Sequence, residues 1–536
     1  MDMCRAVTYI TKNVAKRFRS LSGPSALSHS CRHMFGADLC LVTVLMAATL
    51  STSTSFASEN NAEFDIVIAG GRVIDPEMGL DAIRHVGIRA GRITAISEQP
   101  LLGHQHIDAR NRVVAPGFID IHSHSPTLLG QHLNLLDGVT TQLDLEAGAW
   151  PVAAYGDHFT GGAQLHFGSS VSHASVRMKV IDAIDQPYFF TGRRFGRFGG
   201  NAWVTPASED QIAEMRSLLR QGLNNGGLGI GLLLDYMTAA ITPAELRMVF
   251  ETAAEFSRPV TVHVRRGLPG DSSGLEQVIA EAEATGAPTL ICHITHSAMS
   301  GVEAWLEKID AANARGANIS TETLSWLAGG TSIAADVFQR RDWRAIFDID
   351  YSDVQWIATG EWLTESSFKH YQATQPEGMV NHHYVKEAWL ETALKWPGMM
   401  VSTDALPAMD LDQLTNPNIA GTFSQFLGRY VRERQVLELS DALARITLKP
   451  AQWLEAGAPA FARKGRIQIG SDADIVVFDP AIISPRAQYG DPYQPSQGID
   501  WVIVGGQIVV ASGQRIEGRY PGKHLLVSGP STANGR

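Results

Sequence analysis

Between residues 117 and 405 the chain repeats one pattern: a short apolar run that ends in polar residues, then a stretch of helical character. The apolar runs read GFIDIHSH, GVTTQLDLE, HFGSSVSHASVR, GGLGIGLLLD, PVTVHVRR, PTLICHIT, NISTETLSW and GMMVSTDA. Segments such as SEDQIAEMRSLLRQGLNN, TPAELRMVFETAAEFS and GLEQVIAEAEATG lie between them. Eight strands with intervening helices predict an α/β fold, a parallel (β/α)8 barrel of the TIM type. In such a barrel the chemistry sits at the C-terminal ends of the strands.

The flanks read differently. Residues 64–116 and 456–526 are rich in alternating Val and Ile with Gly pairs, a hairpin texture. They predict a small β-sandwich built from both ends of the chain around a barrel at 117–455. Two segments interrupt the barrel pattern: an aromatic and basic one at 184–203, and a polar, Trp-rich one at about 335–395. Both read as insertions over the barrel mouth. A short polar tail occupies 527–536.

Residues 1–57 have a basic start, the apolar run LCLVTVLMAATL and small residues up to Ala57. That is the layout of a cleaved signal peptide, so an exported, periplasmic or secreted protein is expected, with no lasting membrane attachment. The basic part is long, and translation from an internal Met such as Met34 would shorten it. Cys4, Cys31 and Cys40 fall in this leader, which leaves Cys292 without an internal disulfide partner. The formal net charge of -11 argues against nucleic acid as a partner and leaves a small molecule as the expected ligand. The oligomeric state is not legible.

His122 and His124 are two residues apart on the first strand, so they share its inward face. Alone, such a pair is weak. His263, His293 and Asp404 close three further apolar runs, and Glu146 closes the second. A buried Glu without a partner is expensive; a cation is the natural partner, and a salt bridge to an Arg is the alternative. His122, His124, Glu146, His263 and His293 are therefore candidate metal ligands, with Asp404 in the same set of strand-end residues.

At this point the chain resembles the amidohydrolase superfamily, and within it the N-acyl-D-amino-acid deacylase (D-aminoacylase) group. The resemblance runs from about Phe64 to Leu526 and rests on the strand-end residues above, on GVTT at 138–141, TFSQFLGRYVRE at 422–433, KPAQWL at 449–454 and GSDADIVVFDP at 470–480. It implies one or two zinc ions and hydrolysis of an amide C–N bond, zinc activating the attacking water. Asp404 would take the water's proton and return it to the leaving amine. The same barrel serves dipeptidases and cyclic amidases such as dihydroorotases, and it can persist as a non-catalytic scaffold. A Lys that bridges metals in the cyclic amidases has no counterpart at the end of GIGLLLD.

The chain departs from the deacylase pattern in four places. EAG at 146–148 stands where the group has a Cys in NCG, so Glu146 takes that position. Thr295 replaces a Lys, Leu324 a Tyr, and NPN at 416–418 an HPR. The lost Lys, Tyr and Arg grip the substrate carboxylate in the group. That task is expected to pass to Arg193, Arg194 or Arg197 of the basic insertion, with His173 as a further substrate donor.

Overall fold

The computed structural model describes residues 63–188 and 200–527. The barrel strands are β1 (Phe118–Asp120), β2 (Val139–Ala149), β3 (His166–Ser172), β4 (Ile230–Leu233), β5 (Val260–His263), β6 (Thr289–Ile291), β7 (Ile319–Thr323) and β8 (Met400–Val401). Each pairs in parallel with the next, in chain order from β1 to β8. The ring closes just beyond the ends of β1 and β8. There Asp404 N donates to His122 O at 2.7 Å, and His124 N donates to Ala405 O at 3.0 Å. The seam thus consists of the polar residues that follow two apolar strands, and it brings the HxH pair against Asp404.

Helices pack outside. Ser208 caps Glu209–Asn224 through a reciprocal bond with Gln211, and Thr242 caps Pro243–Glu255, where Pro fits the first turn. Leu246, Val249, Phe250 and Ala253 of the second helix share a core with Val260 and Val262 of β5.

The flanking segments form one nine-stranded sheet. Its joint is Val113–Pro116, antiparallel to Ile475–Phe478. Alternation divides these strands between two cores. Val114, Ile475 and Val477 pack with Ile66 and Ile88 inside the sheet domain, whereas Val113, Ala115, Val476 and Phe478 join Phe118 and Val139 of the barrel. Asp474 binds this joint to the barrel: it accepts from His166 Nε2 at 3.1 Å, Lys464 Nζ at 2.7 Å and Gly505 N at 2.7 Å.

The Trp-rich insertion has different bounds from those expected. It begins with the strand Ala328–Ser332 and ends with Met379–His383, which pair with each other in a small sheet that includes Val354–Trp356 and Glu361–Trp362. Phe338, Trp343, Phe347, Trp356 and Phe368 give it a core of its own. The helix Glu387–Lys395 belongs to the barrel, because Leu390, Ala393 and Leu394 face the barrel cores. Trp389 and Trp396, which made the sequence look like insertion, pack against the barrel from this helix and its end.

His173 is corrected by the structure. The sequence places it on a continuing strand, but β3 stops at Ser172, whose side chain caps the helix His173–Asp182 by accepting from Ser175 N. His173 is fully buried, and its Nε2 lies 3.0 Å from Glu245 Oε1. Arg177 binds the same carboxylate and the Ala202 carbonyl. His173 does not line the barrel-mouth cavity. Arg193, Arg194 and Arg197 lie outside the described residues. No helix among the described residues is long and apolar enough to cross a membrane.

Candidate metal centre

The end of β2 carries the central residue, Glu146. Two features set it. Asp144 Oδ1 accepts from Ala147 N at 2.9 Å and Gly148 N at 3.2 Å, which folds the strand end back on itself. Gly231 on β4 lets it come close, since a Cβ there would sit 2.1 Å from the Glu146 carbonyl oxygen. Two strand-end residues have left-handed backbone, His293 at φ 31° and Asp404 at φ 44°. Such strained positions cluster at functional sites.

Four ligand atoms face one point. His122 Nε2 and His124 Nε2 lie 3.1 Å apart. Glu146 Oε2 is 3.3 Å and 3.2 Å from them, and Asp404 Oδ1 is 3.4 Å from both. A tetrahedral zinc site with bonds of about 2.0–2.1 Å spaces its ligand atoms roughly 3.3–3.4 Å apart. The set has the right size.

The hydrogen bonds behind the rings decide the chemistry. His122 Nδ1 lies 2.9 Å from Glu322 Oε1, and His124 Nδ1 lies 3.0 Å from Asp144 Oδ2. A carboxylate only accepts, so each Nδ1 carries the proton and each Nε2 presents a lone pair. Glu322 also accepts from His293 N and Ser402 Oγ, and Asp144 from Tyr188 Oη, so both carboxylates are fixed. The result is two lone pairs and two carboxylate oxygens around one point, a donor set made for a cation. With no ion bound, the carboxylates draw protons to the same imidazoles, so the centre calls for positive charge either way. Burial works against charge on His122 and His124, yet carboxylates outweigh it and push both pKa values well up: Glu146 and Asp404 beside His122, chiefly Asp144 beside His124. Burial likewise opposes the charge on Glu146, and the imidazoles of His122 and His124 reverse it, holding the carboxyl well down.

Glu146 Oε1 faces the other pair. It lies 3.0 Å from His263 Nδ1 and 2.9 Å from His293 Nε2, which are 3.0 Å apart. One carboxylate therefore joins all four histidines. This second set differs from the first in one respect. Arg266 Nη2 donates to His263 Nε2 at 2.9 Å. That nitrogen is then the acceptor, and the ring proton sits on Nδ1, toward Glu146. Hydrogen bonds satisfy the set in this form; a second ion requires Arg266 to turn away. Burial and the neighbouring His293 keep His263 neutral, with a pKa lowered to about 4.

A cavity of about 550 Å³, including its open mouth, leads to the centre. Asp404 is the most open member of the cluster, with 18% of its side chain exposed against 5% for Glu146. The structure thus brings His122, His124, Glu146, His263, His293 and Asp404 together. The sequence reading missed Asp144 and Glu322, and also the cavity residues Tyr236, Arg266, His296, His382 and Tyr384. Asp144 had a signal: it is two residues before Glu146 on the same strand face. His296 had a weaker one, a second His in HITH.

The sequence profile of the amidohydrolase family matches residues 113–509, which span the whole barrel and the joint with the sheet domain. The chain belongs to the amidohydrolase family. It is 28% identical over 469 residues to the N-acyl-D-glutamate deacylase of Alcaligenes xylosoxydans xylosoxydans, covering 83% of this chain and 93% of that one. The D-aminoacylase of the same organism is 26% identical over 518 residues, covering 88% and 99%. Among solved structures, the N-acyl-D-glutamate deacylase of Bordetella bronchiseptica, complexed with zinc and a phosphonate mimic of the tetrahedral intermediate, superposes with a TM-score of 0.71 at 24% identity. It covers 87% of this chain and all of its own. A D-hydantoinase reaches 0.55 at 18% identity, covering 87% of this chain and all of its own. The amidohydrolase barrel with a separate sheet domain is thus the fold of this chain.

Proposed function

We propose that this amidohydrolase cleaves the amide C–N bond of N-acyl-D-amino acids and uses a divalent ion, zinc, held by His122, His124, Glu146 and Asp404. The observation that carries the reading is the all-acceptor set around one point, with Asp404 its most exposed member at the cavity. The deacylase relatives, which match over 83% and 88% of the chain, support the choice of substrate.

An amide resists water because water is a poor nucleophile and the amine a poor leaving group. A zinc ion supplies the activation of water and the polarisation of the carbonyl. Everything else falls to the chain. Glu322 and Asp144 lock the two imidazoles in the tautomer that presents Nε2. Asp404 accepts the proton of the attacking water and delivers it to the amide nitrogen, so that the amine leaves neutral. His122 and the other imidazoles beside Asp404 hold its carboxyl low despite burial, so it starts the cycle ionised. The leader supports a further part of the proposal, that the enzyme acts after export.

The test is a panel of N-acetyl-D- and L-amino acids and dipeptides, run with chelated and zinc-restored protein. The expected result is release of acetate from D substrates, abolished by chelation and restored by zinc. Turnover of dipeptides alone would replace the deacylase reading with a dipeptidase, and no metal in active protein would end it. Recovery of the protein in the periplasmic fraction checks export.

A further inference from the structure

The group's usual carboxylate grip is absent here, and the arginines expected to replace it lie outside the described residues. The cavity itself offers another. Arg266 lines it, with 7% of the side chain exposed. The guanidinium is held firmly: Nε donates to Asp235 Oδ2 at 2.8 Å, and the Arg266 backbone N donates to Asp235 Oδ1 at 2.9 Å. Asp235 does not cancel its charge, because Arg340 Nη2 shares the same carboxylate at 2.7 Å. Nη1 reaches Tyr384 Oη at 3.4 Å and Nη2 reaches His263 Nε2 at 2.9 Å, which leaves one N–H on each terminal nitrogen. Among the described residues that line the cavity, Arg266 is the only one with a fixed positive charge.

Its place relative to the metal centre defines what it can hold. The guanidinium is one imidazole away from Glu146, since it touches one nitrogen of His263 while the other faces the carboxylate. In an N-acyl amino acid the α-carboxylate is three bonds from the scissile carbonyl carbon. A carbonyl at the metal centre brings that carboxylate, not a longer side-chain acid, within reach of Arg266.

The rest of this wall is polar but uncharged. His296 and His382 pack on the Tyr384 ring, His382 also on Phe338 and Phe347, while the nitrogens of both imidazoles have no side-chain hydrogen-bond partner. Both residues are almost fully buried, His296 to 3% and His382 to 2% exposure. Tyr384 Oη donates to the His296 carbonyl at 2.8 Å, which holds the two walls together. A second carboxylate placed here would meet no cation besides Arg266, which the first already occupies.

We propose that Arg266 binds the α-carboxylate of the substrate and that the His296–His382 wall selects an uncharged, hydrogen-bonding side chain over an acidic one. The proposal rests on the deacylase reading and narrows it to monocarboxylate N-acyl amino acids, in contrast to an N-acylglutamate.

The experiment compares zinc-loaded enzyme on N-acetyl-D-glutamine, N-acetyl-D-glutamate and N-acetyl-D-glutamine amide, whose α-carboxylate is capped. The expected kcat/KM for the first is about tenfold or more above each of the others, with the loss on capping chiefly in KM. Arg266→Met should erase the advantage of the free carboxylate, and Arg266→Lys should keep part of it. Zinc content is measured on every variant, because Arg266 touches His263. Equal rates for capped and free substrate, an undiminished carboxylate preference in Arg266→Met, or a preference for glutamate overturns the proposal. If no amide is cleaved, the deacylase reading fails, and calorimetry still decides the Arg266 contact. Tighter binding of N-acetyl-D-glutamine than of its amide, lost in Arg266→Met, upholds that contact, and equal binding refutes it.

Discussion

The Nε2 atoms of His122 and His124 point at each other across 3.1 Å, each with its own Nδ1 bound to a buried carboxylate. Two facing lone pairs repel unless something positive lies between them. The chain maintains this arrangement through Glu322 and Asp144, neither of which reaches the cavity. Asp144→Asn and Glu322→Gln are therefore expected to leave all the proposed ligands in place yet weaken zinc binding by about 10–100-fold. Competition with a chromophoric chelator measures this. Unchanged affinity in both variants would mean that the carboxylates only fill space.

Glu146 has a separate test. Its two oxygens face two pairs of histidines, so its removal affects both sets at once. Glu146→Gln keeps the shape but removes the one negative charge shared by both sets, whereas Asp404 faces only the first. Zinc content after dialysis should fall to well below one ion per chain, and turnover should fall with it. Full zinc occupancy and normal turnover would make Glu146 a structural acid.

How much of this centre could be read from the chain follows from geometry. His122 and His124 are legible because a strand repeats every two residues, and His263, His293 and Asp404 because each ends an apolar run. What could not be read is the connection between them. Glu146 reads as one strand-end acid among several, and only the approach of β2 to β4, allowed by Gly231, shows that it touches both histidine pairs. His173 misled because Ser172 ends the strand through a side-chain cap, while the apolar pattern continues past it. His382 and Tyr384 gave no signal at all: they come from the end of an insertion with its own core, and reach the cavity only through tertiary packing.

Asp474 gives a test of the joint between sheet domain and barrel. The side chains of Asp474, His166 and Lys464 are all almost fully buried. Burial alone would raise the Asp474 pKa, but Lys464 and His166 outweigh it and hold the carboxyl well below its usual range. A depressed carboxyl contributes stability above its unfolded pKa of about 3.9 and loses it as pH falls below that value. Asp474→Asn leaves the buried Lys464 only Asp472, at 3.4 Å, and should cost up to about 3–5 kcal/mol at neutral pH. Melting curves of the two proteins should converge as pH drops below about 4. A gap that stays constant down to pH 3 would show that packing, not charge, holds the joint.

Asp404 carries the final prediction. Its backbone sits at φ 44°, a conformation that Asn tolerates better than most residues, so Asp404→Asn should fold normally. An amide oxygen can still face the ion, but it cannot take a proton from water at neutral pH. If Asp404 moves the proton, kcat should fall by about a hundredfold or more, with zinc content and melting temperature little changed. If Asp404 serves mainly as a ligand, zinc should be lost in proportion to activity. If it serves mainly to close the β1–β8 seam, the variant should melt lower and turn over normally. The seam bond comes from the backbone N of Asp404 to the His122 carbonyl, so the side-chain change leaves it intact. That separation makes the first outcome the expected one. A folded, zinc-loaded variant with normal kcat would remove Asp404 from the chemistry.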